Sequence, residues 1–327
     1  MTRMISGEGR AFELVRVPGG DREAWLGIRR QGVGGSDVAA IMGLSRYRGA
    51  LSVYMEKLGI YEPEDISDRP AVHWGNVLEP VVGHEYAERH PEREIRRVNA
   101  VCRSIARPWA QASLDYEVRD PGLGWGVLEI KTAGLRSAGD WEDGVPVYYQ
   151  TQVAHYLSVT QRPFADVAVL IGGSDYREYR LMRDADDEAA VVGAVDGFWA
   201  DVLAGNPPEA GPTAQDAAAV VAANRDATDE VEEVEESDAM REWLAARHER
   251  DTADELLRQA TSRLKAEIGT RRGLSCPRGR FTWSRGKATR LDSKRLREEE
   301  PEVYERFCVE SDRDGGIRFT PARKKRE

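Results

Sequence analysis

The sequence predicts an α/β domain followed by a helical extension that ends in a small β-unit. Three observations carry that expectation. Over residues 20–204, apolar stripes of helical period alternate with short runs of strand-like composition. Gly205-Asn206-Pro207-Pro208-Glu209-Ala210-Gly211-Pro212 then interrupts the chain as a linker would. The length, 327 residues, suits one large domain plus an appendage. The expected boundaries are therefore 1–204 for the domain, 205–213 for the linker and 214–327 for the helical and basic extension.

Taken in order, Asp21 is placed to cap a helix over Arg22–Arg30, with Trp25 and Ile28 turned inward. Gly32-Val33-Gly34-Gly35-Ser36-Asp37 leads into a short apolar helix, Val38–Met42, closed by Gly43. Glycines followed by serine at a helix start either offer N–H groups to a phosphate or simply let Ser36 cap the helix. The nearby Arg29 brings an anion site into consideration. Ala50–Leu58 reads as an amphipathic helix stopped by Gly59, and Pro63–Pro70 as a polar loop. Leu78, Val82 and Tyr86 define the buried stripe of a helix from about Gly75 to Arg89, with Glu79 at its edge.

Further on, Leu135–Gly144 reads as a loop, and Pro146 opens a helix to about Val159. Its inward face is Tyr149, Val153, Tyr156 and Leu157, and Gln152 lies one turn from Tyr156. Ala165–Ile171 and Tyr176–Met182 form a strand pair around Gly172-Gly173-Ser174-Asp175, and Asp184–Leu203 is the last helix of the domain. Beyond the linker, Thr213–Ala223 is helical and Met240–Ile268 is a long helix or helical hairpin. A small hairpin is expected at Phe281-Thr282-Trp283. Interleaved arginines and aromatics there suit nucleic-acid contact and equally an ordinary small β-unit.

The chemistry concentrates in Trp109–Thr132. Two strands, Ala110–Val118 and Trp125–Lys131, flank the turn Pro121-Gly122-Leu123-Gly124. Side chains alternate along a strand, so Glu129 and Lys131 project to one face and Ile130 to the other. Charged residues of an amphipathic hairpin are ordinarily its solvated face. Here Val127-Leu128-Glu129-Ile130-Lys131 is apolar on both faces, as an interior strand would be, so its charges need an explanation. A bent hairpin brings Asp115 to Glu129, and two facing carboxylates repel unless a cation sits between them. Mg²⁺ suits such an oxygen site, with Mn²⁺ as a substitute. A lysine beside it can orient or deprotonate a water, or stabilise charge in the transition state.

Composition narrows the classes further. No stretch approaches the length of a membrane span, and Met1–Gly20 lacks the plan of a signal peptide. Cys102, Cys276 and Cys308 are scattered and odd in number, which fits neither a disulfide framework nor a C-x-x-C metal site. A reducing cytoplasm is the expected setting. The net charge of −10 is uneven, because residues 184–255 carry 21 acidic and 4 basic side chains, whereas residues 256–327 carry 20 basic and 11 acidic ones. Overall acidity therefore does not argue against a nucleic-acid partner.

Arg29, Gly35-Ser36, Trp74-Gly75 with Glu79, Ser113-x-Asp115, Glu129-Ile130-Lys131 and Gln152 with Tyr156 follow one another in an order that resembles the YqaJ-type viral recombinase family. These are relatives of phage lambda exonuclease among the PD-(D/E)xK nucleases, and the resemblance covers roughly residues 20–180. It implies a central mixed β-sheet flanked by helices. It implies a Mg²⁺-dependent exonuclease that degrades one strand of a duplex 5′→3′ from its end. Asp115, Glu129, the Ile130 carbonyl and Glu79 would bind metal, Lys131 would position and activate the attacking water, and Gln152 would assist. Arg29, Ser36 and Ser113 would hold the 5′-phosphate. Partners implied are double-stranded DNA ends, a single-strand annealing protein and further copies of the chain. The extension could grip duplex, mediate oligomerisation or dock the annealing protein. Asp115 follows Leu114 where many relatives carry proline, a mild departure.

Three other readings share parts of this pattern. An iron–sulfur nuclease on the same core would need four cysteine ligands, against three scattered ones here. A restriction-type endonuclease would cut closed circles, which an end-dependent enzyme leaves intact. A catalytically silent DNA-binding scaffold would have no use for the intact acids and Lys131.

Overall fold

The computed structural model describes residues 11–16, 22–226, 230–286, 289–309, 317, 319 and 320. Asp21, the expected first cap, lies outside them. The chain divides into two compact units, Met1–Ala227 and Thr228–Glu327.

The first unit is built on a five-stranded sheet of order β2-β5-β6-β7-β8: Glu94–Arg97, Tyr116–Asp120, Gly124–Ala133, Phe164–Ile171 and Asp175–Met182. Only β6 and β7 run parallel, so the sheet is mixed. β5 and β6 form the expected hairpin, and Gly124 at φ +79° takes the left-handed position of its turn. A smaller antiparallel sheet joins β1 (Phe12–Val15), β3 (Val101–Ser104) and β4 (Gln111–Ser113).

The single strand expected over Ala110–Val118 is therefore two, β4 and β5, in different sheets. The chain breaks at Leu114-Asp115 because the Asp115 side chain, not a ladder partner, takes the Ile130 N–H at 2.8 Å.

Strand alternation decides what meets each face. Leu128 and Ile130 of β6 pack with Val82 and Tyr86 of the helix α4, Pro70–Arg89. Val127 on the other face packs with Val153 and Leu157 of α5, Val147–Thr160. Helix α4 starts five residues before the expected Gly75, because Pro70 sits in its first turn where a missing N–H costs nothing. Leu135–Trp141, expected as loop, is a short 3₁₀ helix that buries Trp141. Behind α5 lie α2 (Gly35–Ile41), α3 (Ala50–Lys57) and α6 (Ala185–Ala204), sharing a core of Val38, Val53, Val195 and Phe198. Helix α1, Arg22–Arg30, has its expected span, but Trp25 is half-exposed under the Arg29 guanidinium, 5.0 Å from its ring, and not turned fully inward.

The Gly/Pro cluster bridges elements of this unit and does not end it. Helix α7, Ala214–Ala223, lies against α3, and its Asp216 is fully buried. That carboxylate accepts from the backbone N–H groups of Gly49 (3.2 Å), Ser52 (2.8 Å) and Gly211 (2.8 Å). It caps α3 from a helix more than 160 residues away in sequence. The division accordingly falls after Ala227 and not at 205–213.

The second unit contains one long helix, α8 (Asp238–Ile268), not a helical hairpin. A β-hairpin follows, β9 (Gly273–Cys276) with β10 (Gly279–Thr282), then α9 (Ser293–Glu299) and α10 (Pro301–Arg306). Trp283 lies between Lys265, 5.4 Å from its ring, and Arg285, at 3.8 Å. Among the described residues no helix is long and apolar enough to cross a membrane.

Candidate active site

β6 carries Glu129 and Lys131 toward α5, as alternation requires. Lys131 Nζ donates to Glu129 Oε1 at 2.6 Å and to Gln152 Oε1 at 3.4 Å. Gln152 Nε2 donates to the same Glu129 oxygen and to the Tyr156 hydroxyl, both at 2.8 Å. Glu129 Oε2 is buried and has no hydrogen-bond partner. Asp115 stands at the β4–β5 break, and Glu79 comes from α4, with its Oε1 accepting from Arg97 at 2.7 Å. Glu79, Asp115, Glu129, Lys131 and Tyr149 line a single cavity of about 280 Å³.

This cavity is short of positive charge. Burial pushes the Glu129 carboxyl up to about 7, and repulsion from Asp115 adds to burial while Lys131 only partly offsets it. Burial also raises Asp115, against the pull of Lys131 and the Ile130 N–H. Glu79 is raised by burial and by Asp115. Burial works against the Lys131 charge most strongly, but Glu129, Tyr149 and Asp115 together outweigh it, so the amine is held as an ammonium.

An all-oxygen donor set with an unpartnered buried carboxylate oxygen fits a hard divalent cation. Among the described residues no three His, Cys, Asp or Glu side chains are gathered tightly enough to hold a metal by themselves. The fit therefore centres on Asp115 and Glu129, with the Ile130 backbone beside them. Glu79 shares the cavity but is paired with Arg97.

A second constellation lies at the start of α2. Arg29 places one nitrogen 2.7 Å from Asp37 and another 3.4 Å from the Ser36 hydroxyl. Ser36 does not cap α2. Gly34 is the N-cap residue, and its N–H donates to the Asp37 carboxylate at 3.1 Å. Asp37 is fully buried and is also met by Lys57 (2.7 Å) and Arg48 (3.1 Å), while Glu56 pairs with Arg29 and Arg48. Burial alone would raise the Asp37 carboxyl, but Arg29, Lys57 and Arg48 together hold it far below the usual carboxylate range. Ser113 is exposed at the end of β4, and among the described residues no hydrogen bond joins it to Arg29 or Ser36.

Gly35 connects the two constellations. A Cβ there would lie 2.4 Å from the Tyr156 ring and 3.0 Å from Gln152, so only glycine lets α2 come this close to α5. One chain of contacts therefore runs from Glu129 through Gln152 and Tyr156 to the residue beside Ser36.

Residues 24–163, which hold every group just described, match the YqaJ-like viral recombinase domain family. The matched stretch is less than half of the chain. Over 309 residues the chain is 26% identical to the uncharacterised protein YqaJ of Bacillus subtilis, covering 92% of this chain and 95% of that one. The shared sequence thus reaches well into the second unit. A 59-residue stretch is 37% identical to protein D345L of African swine fever virus, covering 18% of this chain and 16% of that one. Among solved structures, the alkaline exonuclease LHK-Exo of Laribacter hongkongensis is 20% identical at a TM-score of 0.46, covering 56% of this chain and 94% of that one.

Within the matched region, Asp37, Arg48, Glu56 and Lys57 belong to the second constellation and were missed by sequence reasoning. Glu56 and Lys57 end an amphipathic helix and look there like its solvated turn; only the position of Asp37 directly after Ser36 gave any sign.

Proposed function

We propose that this chain is a Mg²⁺-dependent exonuclease that resects linear duplex DNA 5′→3′ from its ends, for recombination by single-strand annealing. The observation that carries the reading is the coupling, through one face of α5, of a cation-seeking acid cleft to an arginine–serine pocket.

When bound, a divalent ion supplies an acidified water and charge stabilisation for the departing oxygen. Asp115, Glu129 and the Ile130 carbonyl would hold it, with Glu79 swinging from Arg97 as a further ligand. Lys131, as an ammonium 2.6 Å from Glu129, orients water and meets negative charge developing on the phosphate. Gln152 fixes the free rotation of Glu129 by donating to it. Arg29 and Ser36 present N–H and O–H donors to a terminal 5′-phosphate, with Ser113 approaching from β4. Contacts to phosphate carry no base identity, so cutting is independent of sequence. In the second unit, Trp283 between two cations favours a grip on DNA among the roles open to the extension.

Linear duplex labelled at either end, with and without 5′-phosphate and Mg²⁺, tests the whole reading. The expected result is loss of label from the 5′ end only, dependent on Mg²⁺, faster with phosphate, and no attack on closed circles. Nicking of closed circles would transfer the assignment to an endonuclease. Undiminished degradation by Lys131→Ala would remove the assigned mechanism.

A further inference from the structure

Tyr149, Gln152 and Tyr156 follow one another along α5 at spacings that share a helix face. Gln152 holds Glu129, and Tyr156 touches Gly35 beside the arginine–serine pocket. Tyr149 therefore lies on the other side of the acid cleft from that pocket. Its ring lines the cleft, 4.6 Å from Lys131 Nζ. The Tyr148 ring follows at 4.4 Å from Tyr149, tilted by 57°.

Arg46 and Tyr47 stand on the loop that follows α2, facing Asp140 of the 3₁₀ helix whose Trp141 packs on Tyr149. Arg46 itself comes within 3.8 Å of Asp140. The inward residues of the same helix, Val153, Tyr156 and Leu157, are buried, but Tyr148 and Tyr149 are half-buried and Tyr47 is 72% exposed. Two touching rings, Tyr149 and Tyr148, thus lead outward from the reacting centre, and the exposed Tyr47 stands beside Arg46 on the neighbouring loop.

We propose that Tyr149, Tyr148 and Tyr47 form a stacking track for unpaired bases of the strand being cut, on the side of the scissile phosphate away from the held 5′ end. This rests on the nuclease reading given above. Phenol rings accept any base on their π-face, which suits an enzyme that must cut without regard to sequence. Tyr149 is also packed on Trp141, 5.6 Å between centroids, which fixes the inner ring while the outer two stay accessible. Arg46 supplies a cation for the backbone as it leaves the track.

Binding of a short 5′-phosphorylated single strand to the full-length protein, read by fluorescence anisotropy in EDTA, tests the track without cleavage. Wild type is expected to bind about tenfold more weakly when the nucleotides after the first are abasic. Tyr148→Ala should lose about the same factor on the intact strand and lose nothing more on the abasic one, and Tyr148→Phe should restore binding. Tyr47→Ala, at an exposed position, should show a smaller loss in the same direction with unchanged circular dichroism. Intact-strand binding by Tyr148→Ala at wild-type strength, or abasic discrimination that persists in it undiminished, would overturn the proposal. If wild type fails to degrade linear duplex in Mg²⁺, the nuclease reading falls, while the EDTA measurements still decide whether the rings hold bases.

Discussion

The acid cleft and the arginine pocket share one helix face yet settle their charges in opposite ways. In the pocket, every carboxylate oxygen of Asp37 and Glu56 is met by Arg29, Arg48 or Lys57, although Arg48 Nε is left without a partner, so the acids are closed off. In the cleft, three carboxyls are answered by Lys131 and Arg97, and an oxygen of Glu129 is left over. A closed buried network specifies geometry; an open one is a demand for a ligand. The pocket is thus scaffolding around one presented arginine, whereas the cleft is incomplete by design.

The strongest break of this comparison is Glu129→Gln. It should lower cleavage on the order of 10³-fold or more, because the proposed metal site loses an acid. Its melting temperature in EDTA should fall less than that of Asp37→Asn, because burial already raises the Glu129 carboxyl to about 7 and less charge is given up when it is replaced. A fall as large as that of Asp37→Asn would show that the cleft is structurally closed after all. Asp37→Asn should do the reverse. Leaving three cations around a neutral side chain is expected to cost roughly 3–5 kcal/mol in urea unfolding. An unfolding midpoint like wild type would deny the pocket its scaffolding role.

Smaller effects sharpen the same contrast. Asp216→Ala removes the acceptor of three backbone N–H groups and should cost about 1–2 kcal/mol. Because α3 carries Glu56 and Lys57, the preference for 5′-phosphorylated ends should shrink with it; equal slowing on both kinds of end would contradict that coupling. Smallest is a pH effect. Buried His155 bonds Val33 and Gln111 carbonyls through Nε2, and burial lowers its pKa to about 4. The unfolded chain then binds the extra proton first, so this stability is whole above about pH 6.5 and lost as pH falls toward 4, at most roughly 3 kcal/mol. Unfolding midpoints across that range should flatten in His155→Gln.

Much of this was legible in the chain because it rests on short-range periodicity. Alternation in Val127–Lys131 placed Glu129 and Lys131 on one face, and the four-residue spacing of Gln152 and Tyr156 placed both against the same neighbour. The break at Asp115 was not legible, since it depends on a side chain taking the N–H of Ile130 from another strand. Asp216 was hidden for a related reason: its partners lie across the fold, and a Gly/Pro cluster before it looked like an ending. Ser113 keeps its expected place near Asp115 but shows no bond to Arg29, a matter of side-chain geometry that motif order does not encode.

The close seating of α2 on α5 at Gly35 has a consequence for what leaves the enzyme. If Arg29 grips the end and the acids of the cleft cut, as proposed, that contact sets the span from end to broken bond as a fixed ruler. Each turnover is then expected to release a fragment of one size, whatever the sequence. A ladder of mixed short products would mean that the ruler bends.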